Sequence, residues 1–244
     1  MPFTFAHPAI ILPFCQVPRK WFSWTGLIVG SMVPDLEYFI RFNVESKHSH
    51  TIGGLFWFDL PLAILIAFLF HVPVRSALFN NLPDPLWRRL APFDQFNWPR
   101  YFIQNWHVVL ISVMIGAASH LAWDAFTHRT GSVVEAFPAL SQNISLAGFT
   151  APLFNVLQHT SSLLGGMAVL FTLTRMPAHD QPGKRTSRKY WPLVITTAAT
   201  ITVMAASIGS PTIGKMVVSV ISATMIGLVV AGILIGQHPR TNPT

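Results

Sequence analysis

Two stretches, Trp191 to Gly209 and Ile213 to Gln237, carry almost no charge over roughly the 20 residues a helix needs to cross a bilayer core. No other feature of the sequence constrains the fold as strongly. In hydrocarbon a segment must satisfy its own backbone hydrogen bonds, so such runs fold as helices. Composition agrees, with 51% of the 244 residues hydrophobic and only 10% charged. An ordinary soluble domain carries about 25% charged residues. A soluble enzyme, a secreted disulfide module and a disordered tail are excluded. The chain reads as an all-α, polytopic membrane helix bundle forming one transmembrane domain over 1–244.

The spans are expected near 22–40, 52–72, 107–127, 152–174, 191–209 and 213–236. The first is short and contains Asp35 and Glu37. Before it, Phe3 to Val17 is apolar but broken by Pro8 and Pro13, which predicts an N-terminal half-helix packed against protein. The connection 73–106, with Pro83, Pro85, Pro92 and Pro99 among Trp87, Trp98 and Trp106, reads as an irregular segment with tryptophans at headgroup depth.

Alternating the connections puts 12 of the 16 basic residues on one side, Arg19, Lys20, Arg75, Arg88, Arg89, Arg240 and the cluster at 184–189 among them. The other side receives Arg41, Lys47, Arg129 and Lys215. The positive-inside rule then places 73–106, 175–190 and the C-terminus in the cytoplasm of a cell whose cytoplasmic membrane holds the protein. The net charge of +7 does not point to nucleic acid, because the basic residues fall between apolar runs and form no stripe. The single Cys15 excludes an internal disulfide and a multi-cysteine metal site. Met1 to Ile10 has no basic stretch and does not read as a cleaved signal peptide.

Ionisable side chains within a bilayer are costly, so each is a functional candidate. At 1.5 Å rise per residue, Asp59, His120 and His159 each lie about seven residues below the outer end of a span, and Asp124 about three. Asp35 and Glu37 close the outer end of the first span, and His48, His50 and His128 occupy adjoining outer loops. All share one slab in the outer third of the membrane. His120 and Asp124 are an i, i+4 pair, so imidazole and carboxylate project from one helix face. The small residues Gly116 to Ser119 just before them would let a neighbouring helix approach closely. Asp35 and Glu37 diverge on a helix, and Asp35 is the favoured ligand. Histidine with carboxylate suits a divalent ion, zinc first, with manganese and iron as alternatives. Asp59 reads as the partner of a ligand histidine. His71, His107, His179 and His238 read as bystanders. His7 joins the site if the half-helix runs inward from the outer level to Arg19 and Lys20.

The segments Met1-Pro-Phe-Thr-Phe-Ala-His7-Pro8, Gly30-Ser-Met-Val-Pro-Asp35-Leu-Glu37-Tyr38, Ser49-His50-Thr51, His120-Leu-Ala-Trp-Asp124-Ala-Phe-Thr-His128 and Leu157-Gln-His159-Thr-Ser-Ser162 resemble an uncharacterised integral-membrane family, domain of unknown function 4184. The order of His, Pro-Asp, His, His-x-x-x-Asp and His more distantly resembles the membrane-bound metal-dependent hydrolases. It is also similar to zinc-dependent phospholipase C and related zinc nucleases. That resemblance implies one metal site from Asp35, His50, His120 and Asp124. Asp124 would bridge to a second ion also held by His7, with His128 and His159 contributing to a third. Two departures, Leu163 where that family carries a glutamate and Met1-Pro2 at the N-terminus, point to one or two ions rather than three.

The function expected is therefore a membrane-embedded metal-dependent hydrolase acting on a phosphoester of a lipid or lipid-linked substrate. Asp35 or Glu37, whichever is not a ligand, would be the general base. The alternatives are a non-catalytic metal site, structural or part of an ion or proton pathway, and an assembly factor without metal. The cytoplasmic half of the spans is mainly aliphatic and aromatic, which argues against a pathway.

Overall fold

The computed structural model describes residues 3–18, 20–146, 148–180, 184–208 and 212–236. Arg19, His238, Arg240, Met1-Pro2 and the ends of the last two apolar runs lie outside them. Helices dominate the described residues. They are α1 (Pro8–Ile11), α2 (Trp24–Arg41), α3 (Ile52–Asn81), α4 (Asp84–Leu90), α5 (Trp98–Thr127), α6 (Ser132–Ala136), α7 (Leu153–Arg175), α8 (Tyr190–Ser207) and α9 (Ile213–Ile235). Five segments are long and apolar enough to cross a membrane: Ile52–Asn81, Trp98–Ala136, Leu153–Arg175, Tyr190–Ser207 and Ile213–Ile235. The protein is an all-α, multi-pass membrane type.

The first expected span, near 22–40, forms the helix α2 but does not meet that standard. Its 18 residues include Asp35, Glu37 and Arg41, too much charge for lipid on every side. The N-terminal half-helix is present as α1 between 3-10 turns Thr4–Ala6 and Leu12–Gln16. Pro8 opens α1, where a missing N–H costs nothing.

The irregular connection expected over 73–106 is mostly helix. Pro73 does not end α3, because the π turn Phe70–Val74 absorbs it. Pro85 lies at the start of α4 and Pro92 at the start of the 3-10 turn Ala91–Gln95. Pro99 is the second residue of α5, which is broken by a kink at Asn105 (φ −132°, ψ 26°), so that the span expected from 107 is the segment following the kink and a shorter helix precedes it. These prolines open elements instead of breaking them. Trp98 is fully buried in protein and stacks on His71 at 4.9 Å. An unexpected hairpin, β1 (Asn143–Leu146) antiparallel to β2 (Phe149–Pro152), occupies the 128–151 loop.

Contacts divide the chain into two compact units. The first contains Met1–Asp35, Lys47–Ile64 and Asn105–Arg175. Its packing is set where α2 meets α5. A Cβ on Gly30 would lie 2.3 Å from the Val113 carbonyl oxygen, and one on Gly116 would lie 2.4 Å from that of Leu27. Only glycine at both positions lets the two backbones come this close. Ser112 Oγ accepts from Ser23 N at 2.8 Å, which fixes the axial register.

The second unit contains Leu36–Ser46, Leu65–Gln104 and Met176–Thr244. Its core gathers Ala77, Tyr190, Val194 and Ala231, with Ser222 Oγ donating to the Phe39 carbonyl at 2.7 Å. A polar cap closes the ends of α3 and α4. Asn81 accepts from Ser187 N and from Trp191 Nε1, both at 2.8 Å. Lys184 pairs with Asp84, and Arg88 with Asp180 at 2.7 Å.

Candidate metal centre

Each ligand candidate of the first unit is placed by a local device. His120 and Asp124 rise from one face of α5, one turn apart. Because α2 packs directly on α5, His120 Nδ1 lies 2.8 Å from the Ser31 carbonyl oxygen. The carbonyl accepts only, so Nδ1 carries the proton and Nε2 presents its lone pair inward. Asp35 follows Ser31 by one turn of α2 and is 1% exposed. Thr4 Oγ1 donates to Asp35 Oδ2 at 2.6 Å, leaving Oδ1 toward the histidines. His7 ends the first 3-10 turn and stacks on His120, with ring centres 3.7 Å apart. His50 precedes α3, whose N-terminus is capped by Thr51 Oγ1 accepting from Gly54 N at 2.9 Å. Ser49 Oγ lies 3.0 Å from His50 Nδ1, again turning Nε2 inward.

The resulting spacings are diagnostic. His120 Nε2 lies 3.3 Å from Asp124 Oδ2 and 3.6 Å from Asp35 Oδ1. His50 Nε2 lies 3.5 Å from Asp124 Oδ2 and 3.7 Å from Asp35 Oδ1. A direct charge-assisted hydrogen bond would close to about 2.7–2.9 Å. Donor atoms on bonds of ~2.0–2.2 Å to a tetrahedral ion would instead stand ~3.3–3.6 Å apart. Three of these four edges fall in that range and the fourth, His50 to Asp35, lies just beyond it, while all are longer than a direct ion pair. His7 Nε2, His120 Nε2 and Asp124 Oδ1 are also buried without a hydrogen-bond partner among the described residues, a costly state for polar atoms unless something between them is bound. Two overlapping triads have ligand atoms within 4.8 Å of one another: His7, Asp35 and His120, and His50, His120 and Asp124. The donor set fits a divalent cation.

Asp124 faces two ways. Its Oδ2 points to His50 and His120, while its Oδ1 lies 3.3 Å from His128 Nδ1 and 3.9 Å from His7 Nε2. Burial alone would disfavour the protonated form of His50, yet the two neighbouring carboxylates, Asp124 and Asp35, outweigh it and raise its pKa above the ordinary imidazole value.

Three further expected residues are placed as follows. His159 is exposed on α7, and its neighbour Gln158 is the buried one, with Nε2 3.2 Å from His128 Nε2. One residue is about 100° of helix, enough to turn a side chain from the protein to the lipid. Glu37 is not available as a base: Oε1 accepts from Arg41 Nε at 2.7 Å and Oε2 from Ser46 Oγ at 2.9 Å. Asp59, expected as the partner of a ligand histidine, is fully buried in the π turn Leu55–Asp59. His48 packs edge-on against Trp57 at 4.9 Å, outside the cluster. Of the bystanders, His71 lies 2.7 Å from Arg75 and stacks on Trp98.

Thr4, the Ser31 carbonyl and Gln158 were not anticipated. Gly26-Leu-Ile-Val-Gly30 is the small-x-x-x-small signal that locates the Ser31 contact, whereas nothing in the sequence marks Thr4 or Gln158.

No curated protein and no solved structure matches the chain. The family model described as domain of unknown function (DUF4184) matches residues 1–233, and the chain belongs to that family.

Proposed function

We propose that this protein is a membrane-embedded, metal-dependent hydrolase of a phosphoester in a lipid or lipid-linked substrate. The observation that supports this most is the set of four edges, 3.3–3.7 Å, among His120, His50, Asp35 and Asp124. Asp35 Oδ1, His50 Nε2, His120 Nε2 and Asp124 Oδ2 would hold one ion, with zinc the best fit. His7 and His128 would share Asp124 Oδ1 with a second. Such ions lower the pKa of bound water toward ~7 and stabilise charge on phosphoryl oxygens.

The chain's own contribution is orientation. Thr4 holds Asp35, the Ser31 carbonyl holds the His120 ring, and Gln158 holds His128. With Glu37 engaged by Arg41, proton removal from water falls to the cluster's own carboxylates. His50, at 23% side-chain exposure, lies on the accessible side of the cluster, whereas His120 is closed off. The charge asymmetry of the loops would put this site toward the extracytoplasmic face of the cytoplasmic membrane.

The competing reading is a structural metal site, favoured because the four donors of the first set would together complete a tetrahedral shell. Activity separates the two. Purified protein in mixed micelles with zinc or manganese should release phosphate from phosphatidic acid or a polyprenyl phosphate ester. Asp35→Asn and Asp124→Asn should each lower the rate at least 100-fold. Metal-loaded protein that hydrolyses no lipid phosphoester would leave the structural reading in place.

A further inference from the structure

A half-open cavity of about 310 Å³ lies between the N-terminal helical turns and α7, with His7 at one end. Its walls are Ala6, Ala9 and Ile10 on one side and Leu164, Gly165 and Ala168 on the other. The cleft is narrow because a Cβ on Gly165 would stand only 2.9 Å from the Ala6 carbonyl oxygen. Trp123, Ser161 and Ser162 line its head. Both hydroxyls there are already engaged by the protein. Ser161 Oγ accepts from Trp123 Nε1 and Ser162 Oγ from Phe3 N, each at 3.2 Å. His7 is thus the polar group at that end whose ring reaches the metal cluster, with Nε2 3.9 Å from Asp124 Oδ1.

We infer that this cleft is the hydrocarbon-chain subsite of the metal centre: it holds one alkyl or prenyl chain of an amphiphile whose phosphate lies beyond His7. The inference rests on the proposed function for the headgroup chemistry and adds how the substrate is held. Three observations carry it. His7 belongs to both, lining the groove and stacking on His120 of the metal cluster with ring centres 3.7 Å apart. It opens along α7, the candidate span with the least burial, 6%, whose Leu163, Leu164, Met167, Leu170 and Phe171 are all exposed. A groove on such a face is bathed in lipid tails rather than water. Its size lies at the lower end of the ~300–1,000 Å³ range of small-molecule sites, suited to one chain and not to a whole lipid. A chain bound there would spend its binding energy on placing the phosphate, as remote contacts do in catalysis.

The test uses a single-chain alkyl phosphate carrying a mid-chain diazirine, added to full-length protein in bilayers of unlabelled phosphatidylglycerol. After irradiation, adducts are mapped by mass spectrometry. Labelling is expected at Ile10, with Ala168→Phe and Ala9→Phe each lowering it about tenfold or more. Labelling at the lipid-facing Phe171, and metal content, should stay at wild-type levels in both variants. Ile10 labelling that neither variant reduces would overturn the subsite. Wild-type protein lacking bound metal, yet labelled at Ile10 in this variant-sensitive way, would refute the metal reading while the chain site stands.

Discussion

His120 donates through Nδ1 to the Ser31 carbonyl oxygen at 2.8 Å, so a backbone atom of α2 sets the tautomer and direction of an imidazole on α5. The acceptor is backbone, so no side-chain substitution at Ser31 removes it, but the helix approach that creates the contact can be altered. Gly30→Val would place a Cβ 2.3 Å from the Val113 carbonyl and force the helices apart, costing about 1–3 kcal/mol. A lowered Tm together with loss of bound metal is expected. Full metal content at a lowered Tm would show that the register is not what orients His120.

Gln158 and His159 are neighbours with opposite orientations. Gln158→Leu should weaken metal affinity about 10- to 100-fold by freeing the His128 ring, whereas His159→Ala should leave it unchanged. Isothermal titration with zinc in detergent checks both. A larger effect from His159→Ala would return that histidine to the ligand set.

This pair shows where the sequence is legible. Long apolar runs and the i, i+4 spacing of His120 and Asp124 carry their geometry locally, so spans and the ligand pair can be read directly. The outward turn of His159 depends on the register of α7 against its neighbours, which no local pattern records. Glu37 carried a readable warning, because Arg41 follows it by one turn and claims its carboxylate. The prolines of 82–99 were ambiguous in a different way, since proline both ends helices and opens them.

The cap over the ends of α3 and α4 is pH-dependent in a defined direction. The Lys184 ammonium, by hydrogen bond and charge, holds the Asp84 carboxyl below its ordinary range. The contact is therefore intact above the ordinary carboxylate pKa of ~3.9 and is lost as pH falls through the depressed value. Asp84→Asn should lower hydrogen-exchange protection of the Arg185 and Ser187 amides at neutral pH, by up to about fivefold for so exposed a pair. Wild-type protein should lose that increment only in acid. Unchanged protection in Asp84→Asn would assign the docking to Asn80 and Asn81 alone.

Orientation is separately accessible. Ser132 and Thr186 are both exposed, and basic-residue asymmetry puts them on opposite sides of the membrane. In a Cys15→Ser background, Ser132→Cys should react with an impermeant thiol reagent in intact cells and Thr186→Cys should not. The opposite pattern would invert the topology and move the site to the cytoplasmic leaflet.

Metal analysis of detergent-purified protein bears on the central claim most directly. Wild type should carry stoichiometric zinc, or manganese when grown on it, and both His120→Ala and Asp124→Ala should lose it while remaining folded and helical. Wild-type protein that holds no divalent metal, even after reconstitution with zinc, would contradict the account.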